Sequence, residues 1–285
     1  EPLLDKAARQ LGIDLVAIRR INAPTNESRY GASRQAVTSA HLRDALDMGA
    51  EQFAWQERRA RSGQLNGSKI RATAVGQAFH SAGSSGFDGL VRITPDGILH
   101  IHSGVGNLGT YSYASTSRVA ADALKYDWDN CQIVHGDSSL GLPWNLGQFG
   151  SNTSFTMTRT NYVAAMDALR KLKEIAAIEF GGSAEDYDVS GENVFNKSNP
   201  SRRMSYARAA QKAIELGGAY SGHNVPDDIN AMTARAVAGL VDTGLIGVAR
   251  DNMGQRGMVP ALAVGFIEIE LDVETGKVEI IDYLG

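Results

Sequence analysis

The chain has 285 residues, with 28 Lys and Arg against 32 Asp and Glu, and a net charge of −4 without a basic block; this excludes the electrostatic footprint of a nucleic-acid binder. A hydrophobic content of 43% and a charged content of 21% suit a globular chain with one or two cores. No apolar run approaches the roughly 20 residues of a membrane-spanning helix, and one cysteine, Cys131, leaves no internal disulfide and too few thiolates for an iron–sulfur cluster, which needs about four.

Leu3, Leu4, Ala7, Ala8 and Leu11 recur at helical spacing, and Gly12 is a stop. Asp14 is a cap for a second helix, Leu15 to Ile21. Pro24 to Thr38 reads as a loop. His41 to Arg61 reads as one helix with Trp55 on its apolar face as a packing residue, and 62–67 reads as a linker. From Ile70 the period changes to two. Strands are predicted over Ile70–Gly76 and Gly89–Thr94; Pro95-Asp96-Gly97 is a turn, and Ile98–His102 is the return strand. His100 and His102 share a face of that strand, but no third ligand lies near in sequence, so a metal site is not assigned. Tyr113–Leu124 is a helix and Asn130–Val134 a strand, with Cys131 expected to be buried. A long helix is predicted from about Asn161 to Phe180, with Val163, Met166, Leu169 and Leu172 inward. Val189–Val194 is a small hairpin, and Ser205 caps a helix from Tyr206 to Leu216. Asn224 to Val241 has no clear period. Val264–Asp272 and Val278–Tyr283 form a terminal hairpin around Thr275-Gly276.

Two glycine-rich turns stand out, each leading toward a helix. The first is Gly104-Val-Gly106-Asn107-Leu-Gly109-Thr110-Tyr111. The second is Gly147-Gln148-Phe149-Gly150-Ser151-Asn152-Thr153-Ser154. Glycine lets a backbone approach a ligand, and a helix start presents unpaired N–H groups and a partial positive charge. Two such turns within about 50 residues suggest one phosphate-bearing group held from two sides. On chemistry alone, the polar run Ser151–Ser154 reads equally as a helix entry with competing caps. No Ser-His-Asp set, Walker loop, zinc spacing or plain carboxylate pair is visible.

The order of these pieces resembles the large, molybdopterin-binding subunit of the xanthine dehydrogenase/aldehyde oxidase family. The resemblance rests on Leu4 to Asn22, Ala50 to Trp55, Gly86 to Ala121, Gly136-Asp137-Ser138, Phe149 to Ser154, and Val264 to Val278, which are collinear with family segments. It implies an α+β fold: part of the second molybdenum-cofactor-binding region of a molybdenum hydroxylase, preceded by an N-terminal helical connector. The expected division is a connector over 1–66 and a cofactor domain over 67–285 whose C-terminal part is missing. The chain opens inside a helical pattern and closes inside a strand, so it is expected to belong to something longer.

The implied cofactor is molybdopterin with molybdenum, or its cytosine dinucleotide form. By the family pattern Gln148, Phe149, Gly150, Ser151, Asn152, Thr153 and Ser154 hold it, with Gly109, Thr110 and Tyr111 near the metal. Many members carry Gly-Gln-Gly where this chain has Gly109-Thr110-Tyr111, which puts the geometry there in question. The family's base is a glutamate in a Gly-x-Gly-Glu-type segment; no Glu here has that context, and no catalytic residue is assigned. The implied activity is oxidation of an aldehyde or N-heterocycle with water-derived oxygen. The implied partners are the remaining part of the large subunit, iron–sulfur and flavin (FAD) chains or domains, and a small-molecule substrate. Two other readings stay open: a non-catalytic scaffold derived from the family, and a separate phosphate- or nucleotide-binding module. Substrate and compartment are not readable.

Overall fold

The computed structural model describes residues 1–81, 83–254 and 257–285, with Ser138 described in its backbone alone. Helices and strands run in the order α1 (Pro2–Leu11), α2 (Leu15–Asn22), β1 (Arg29–Tyr30), β2 (Gln35–Ala36), α3 (Leu42–Gln52), α4 (Trp55–Arg61), β3 (Leu65–Asn66) and β4 (Lys69–Ser81). Next come β5 (Asp88–Ile93), β6 (Leu99–His102), α5 (Ser112–Leu124), β7 (Cys131–Val134), α6 (Thr153–Phe180), β8 (Tyr187–Ser190), β9 (Asn193–Asn196), β10 (Arg203–Ser205) and α7 (Tyr206–Leu216). The last are α8 (Ala231–Ala238), β11 (Leu245–Arg250), β12 (Pro260–Asp272) and β13 (Val278–Leu284). Packing divides the chain into two units, 1–82 with 255–285, and 83–254. The boundary expected at 66/67 falls inside the first unit.

In the first unit Asp14 does two things. Its Oδ1 accepts from the amides of Val16 (2.8 Å) and Ala17 (3.2 Å), capping α2, and its Oδ2 accepts from Trp55 Nε1 at 2.9 Å. Gly12 ends α1 in the left-handed region, φ +66°, where glycine costs least. Arg19 is fully buried, and its guanidinium reaches Glu1 (2.5 Å), Asp5 (2.8 Å) and the Leu15 carbonyl (2.9 Å), which meets the need of a buried charge for partners. The single helix predicted over 41–61 is two helices, broken at Ala54, φ +51°. The break turns Trp55 into the core beside Phe53 and Phe266, so its packing role holds. The predicted loop 24–38 carries the short pair β1–β2, and the linker 62–67 carries β3, paired with β4.

These helices cover one face of an antiparallel sheet ordered β13-β12-β4-β3. Val75 and Phe266 lie opposite each other on the covered face. Every Asp, Glu, Lys and Arg within these four strands shares that face by register, among them Arg71, Glu268 and Asp282. The other face carries the cross-strand rows Leu65–Ile70–Leu271–Val278, Ala72–Ile269–Ile280 and Ala74–Ile267–Tyr283.

The second unit is built on a sheet ordered β11-β5-β6-β7. β6 and β7 are parallel and joined through α5; the other pairs are antiparallel. Val91, Ile93, Leu99 and Ile101 pack against α5, α6 and α7, while Leu90, Ile246 and Val248 pack against α8. Helix α6 comes unusually close to the sheet. A Cβ on Gly89 would stand 1.9 Å from the Thr160 carbonyl oxygen, and one on Gly247 2.5 Å from that of Ala164. This approach selects small residues, so Ala164, Ala165, Ala168 and Ala176 face inward. Of the larger residues expected inward, Leu172 is fully buried, whereas Met166 is displaced outward at 38% exposed and Leu169 sits at the margin of the core. Polar locks fix the helix. Lys171 Nζ donates to the Ile246 carbonyl and meets Asp167, both at 2.7 Å, and burial pulls its pKa down against the pull of Asp167.

β11 had no counterpart in the sequence reading, and the period-poor stretch 224–241 yields α8. Ser205 caps α7 by accepting from the Arg208 amide at 3.2 Å, as expected. Cys131 is half-buried rather than buried.

Candidate functional site

The second unit places both glycine turns at one end of its sheet. The first follows β6 and enters α5; the second enters α6 directly. Sequence periodicity started α6 near Asn161, but the helix begins at Thr153. Polar residues at the entry hid its first two turns, and they bring the Ser151–Ser154 run to the helix start.

One side chain ties the turns together. Gln148 Oε1 accepts from the Leu108 amide, and its Nε2 donates to Ser112 Oγ, both at 2.7 Å. Ser112 Oγ lies 3.1 Å from Thr110 Oγ1. Asn107 Oδ1 accepts from the amides of Gly109 (2.9 Å) and Tyr111 (3.2 Å), closing the first turn on itself. Between the turns lies a cleft of about 470 Å³ lined by Leu108, Thr110, Ser112, Gln148, Phe149 and Ser151 to Ser154. None of these residues is charged.

The cleft floor is the amino end of a 28-residue helix. Asn152, the residue before it, makes no side-chain cap. Its Oδ1 accepts instead from Thr156 Oγ1 at 2.7 Å, and its Nδ2 is buried without a partner among the described residues. The amides of Thr153 and Ser154 belong to the first helical turn, where no intrahelical acceptor exists. With the helix dipole they make a neutral-residue site for an anion. Ser151 holds φ +53° and Gly150 φ +60°, so the backbone bends sharply just before the helix. A non-glycine residue at positive φ is uncommon outside Asn and Asp.

Tyr111 and Phe149, both among the residues expected at the cofactor, are 64% and 60% exposed. Trp144 packs, with its ring centroid 4.7 Å from that of Phe87, and its amide donates to Thr233 Oγ1 at 2.9 Å. Gly104 is required for contact: a Cβ there would stand 2.1 Å from the Pro143 carbonyl oxygen.

Behind the turns sits a polar interior that sequence reasoning missed. His102, Ser103, Ser117, His135 and Asn161 each hold buried side-chain atoms without a hydrogen-bond partner among the described residues. They occupy the ends of β6 and β7 and the middle turns of α5 and α6. His135 stacks on Tyr113 at 3.9 Å. Burial, helped by Arg92 and His100, pushes the His102 pKa down to about 3, so the ring stays neutral. The only hint in sequence was the run of small polar residues where a helix core would be apolar. Asp137 of the Gly136-Asp137-Ser138 motif is exposed and accepts from the Ser139 amide (2.9 Å) and hydroxyl (2.6 Å); the Ser138 side chain lies outside the described residues.

A family model of the molybdopterin cofactor-binding domain matches residues 48–285. The chain belongs to this family. Aldehyde oxidoreductase molybdenum-binding subunit PaoC of Escherichia coli O157:H7 is 26% identical over 252 residues, 82% of this chain and 32% of that one. The putative xanthine dehydrogenase molybdenum-binding subunit XdhA of Escherichia coli (strain K12) is 27% identical over 235 residues, 79% of this chain and 31% of that one. CO dehydrogenase from Oligotropha carboxidovorans shares the fold, with a TM-score of 0.69 at 17% identity over 99% of this chain and 35% of that one. The molybdopterin-binding domain thus spans about a third of the length of the curated relatives it matches. The family and fold expected from the collinear motifs are borne out, and the cofactor that goes with the family is molybdopterin with molybdenum.

Proposed function

We propose that the cleft between the glycine turns grips the phosphate-bearing part of a molybdopterin, in its plain or cytosine dinucleotide form. The chain would serve as one portion of a molybdenum hydroxylase that oxidises an aldehyde or an aromatic N-heterocycle with oxygen from water. The single observation that carries the reading is the uncapped start of α6, which opens into a cleft with no competing charge. A buried, unpartnered Asn152 Nδ2 beside it is the kind of orphan that a ligand oxygen satisfies.

When bound, the cofactor supplies the two-electron redox chemistry; this chain's residues hold and orient it. Ser151, Thr153 and Ser154 offer hydroxyls, and the first-turn amides offer N–H donors, so an anion is met by dipoles rather than by a counter-charge. Gly150 keeps that approach free of side chain. Gln148 uses both ends of its amide inside the protein, so its part is to fix the distance between the turns. Gly109, Thr110 and Tyr111 form the facing wall, and Phe149 shields the rim. Thr110 takes the place of the family's glutamine with a shorter hydroxyl donor. No residue of this chain is assigned a catalytic role. The base, the remainder of the large subunit, and the iron–sulfur and flavin carriers would lie outside these 285 residues, on partner chains or further domains.

The test is elemental analysis for molybdenum, with release and identification of the pterin, on the complex purified from its native source. Near-stoichiometric molybdenum is expected, falling at least tenfold in a Ser151→Ala/Ser154→Ala variant. A native complex reproducibly free of molybdenum and pterin would refute the reading.

A further inference from the structure

The uncovered face of the β13-β12-β4-β3 sheet has the composition of an interior. An antiparallel sheet with one wet face normally alternates apolar inward and polar outward. Here the alternation is inverted: the strands' charged residues share the helix-covered face, and the open face holds no Asp, Glu, Lys or Arg. Val278, Ile280 and Tyr283 on it are 55, 68 and 65% exposed, beside Ile70, Ile269 and Leu271, which are partly buried. Tyr283 lies flat across Gly265, its hydroxyl 3.3 Å from where a Cβ would stand. Contiguous apolar surface of several hundred Å² on a chain is a mark of an interface. The outermost strand, β13, has one neighbour, β12, so its free edge also offers unpaired backbone donors and acceptors.

We propose that this face is the docking surface for the part of the large subunit that lies outside these 285 residues. The inference rests on reading the chain as a portion of such a subunit. The chain covers 32% of one curated relative and 35% of a structural neighbour, so about two thirds of a polypeptide of that kind is available to cover it. The absence of charge matches a permanently covered interface core rather than the polar rim of a transient contact. The occupant is therefore an apolar segment of that polypeptide, laid over Ile269, Ile280 and Tyr283, with the β13 edge open to an added strand.

The test uses the complex from its native source, with a photo-cross-linking amino acid at position 280. The expected products join position 280 to large-subunit sequence outside residues 1–285. The amides of Val278–Leu284 should exchange at least tenfold more slowly in the wild-type complex than in an Ile280→Asp variant. Because Ile280 is solvent-exposed in the chain, that variant should keep the circular dichroism and thermal midpoint of the wild-type chain. Cross-links to a second copy of this chain, to an iron–sulfur or flavin chain, or to nothing would each overturn the proposal. Molybdenum measured in the same sample separates the two readings. Metal without the cross-link sinks the docking surface alone; the cross-link without metal sinks the cofactor reading alone.

Discussion

Replacing Gly89 by Ala is the most direct probe of how the sheet positions the site. The new Cβ would stand 1.9 Å from the Thr160 carbonyl oxygen and 2.6 Å from its carbon. Both atoms are backbone in the interior of α6, so no side-chain rotation relieves the overlap. The helix must recede by well over 1 Å, which places the cost at the top of the overpacking range, about 3 kcal/mol. Native-state hydrogen exchange reads this locally, at the buried amides of Ala164, Ala165 and Ala168. A loss of about 3 kcal/mol corresponds to roughly 100-fold faster exchange. Gly12→Ala is the control. It meets open space at φ +66° and should cost only about 1 kcal/mol, through backbone strain. Exchange of α6 in Gly89→Ala within fivefold of wild type would show that the close approach is not what holds the helix, and with it the Ser151–Ser154 corner.

Gln148→Ala removes both 2.7 Å struts between the turns; a loss of about 1–2 kcal/mol is expected, seen as faster exchange at the Leu108 amide, and an unchanged rate there would contradict the bridging role. The His102 pKa is lowered in the folded chain to about 3, against about 6.5 unfolded. Its contribution is thus present above pH 6.5 and is lost as pH falls toward the folded value, by up to about 1.4 kcal/mol per pH unit. Urea midpoints at pH 7, 6 and 5 should fall less steeply in His102→Phe, and parallel decline in both proteins would rule this out. Burial, helped by Glu192 and Asp127, pushes the Cys131 thiol up to about 12. At pH 8 its thiolate population should lie about 1,000-fold below that of an unperturbed thiol, and its reaction with a disulfide reagent should be more than tenfold slower, the greater nucleophilicity of a high-pKa thiolate offsetting part of the loss; a rate within tenfold of that thiol would contradict the assignment.

Local chemistry made much of this fold readable. Asp14 and Ser205 announced helix starts because a cap is a short-range hydrogen bond, and the hairpins at Pro95–Gly97 and Thr275–Gly276 follow from turn residues alone. What stayed hidden depends on distant partners. Leu245–Arg250 reads as a short apolar run interrupted by Gly247, yet that glycine is where α6 presses on the sheet. Met166 and Leu169 look more apolar than Ala164 and Ala168, but where α6 crosses Gly89 and Gly247 there is room only for alanine. Ala54 gives no sign of a break; the break serves Trp55, whose indole reaches Asp14 forty-one residues away in sequence. For the site, the glycines and hydroxyls were visible, while the Gln148 bridge between Leu108 and Ser112 was not, since it joins two turns across the fold.

The chain leaves its first sheet at Ser81 and returns at Pro260, two residues that face each other across β4 and β12. Zipping that strand pair from an unfolded chain means closing a loop as long as the whole second unit, an entropic cost of about 4 kcal/mol. The second unit removes this obstacle by itself. Gly86 donates to the Asp251 carbonyl at 3.1 Å, the Asp251 amide donates to the Phe87 carbonyl at 2.8 Å, and Asp88 pairs with Arg250. Once β5 and β11 have joined, only the short connections 82–87 and 251–259 remain to be closed. The topology thereby favours one order of assembly, in which the second unit forms first and the β4–β12 pair closes afterwards.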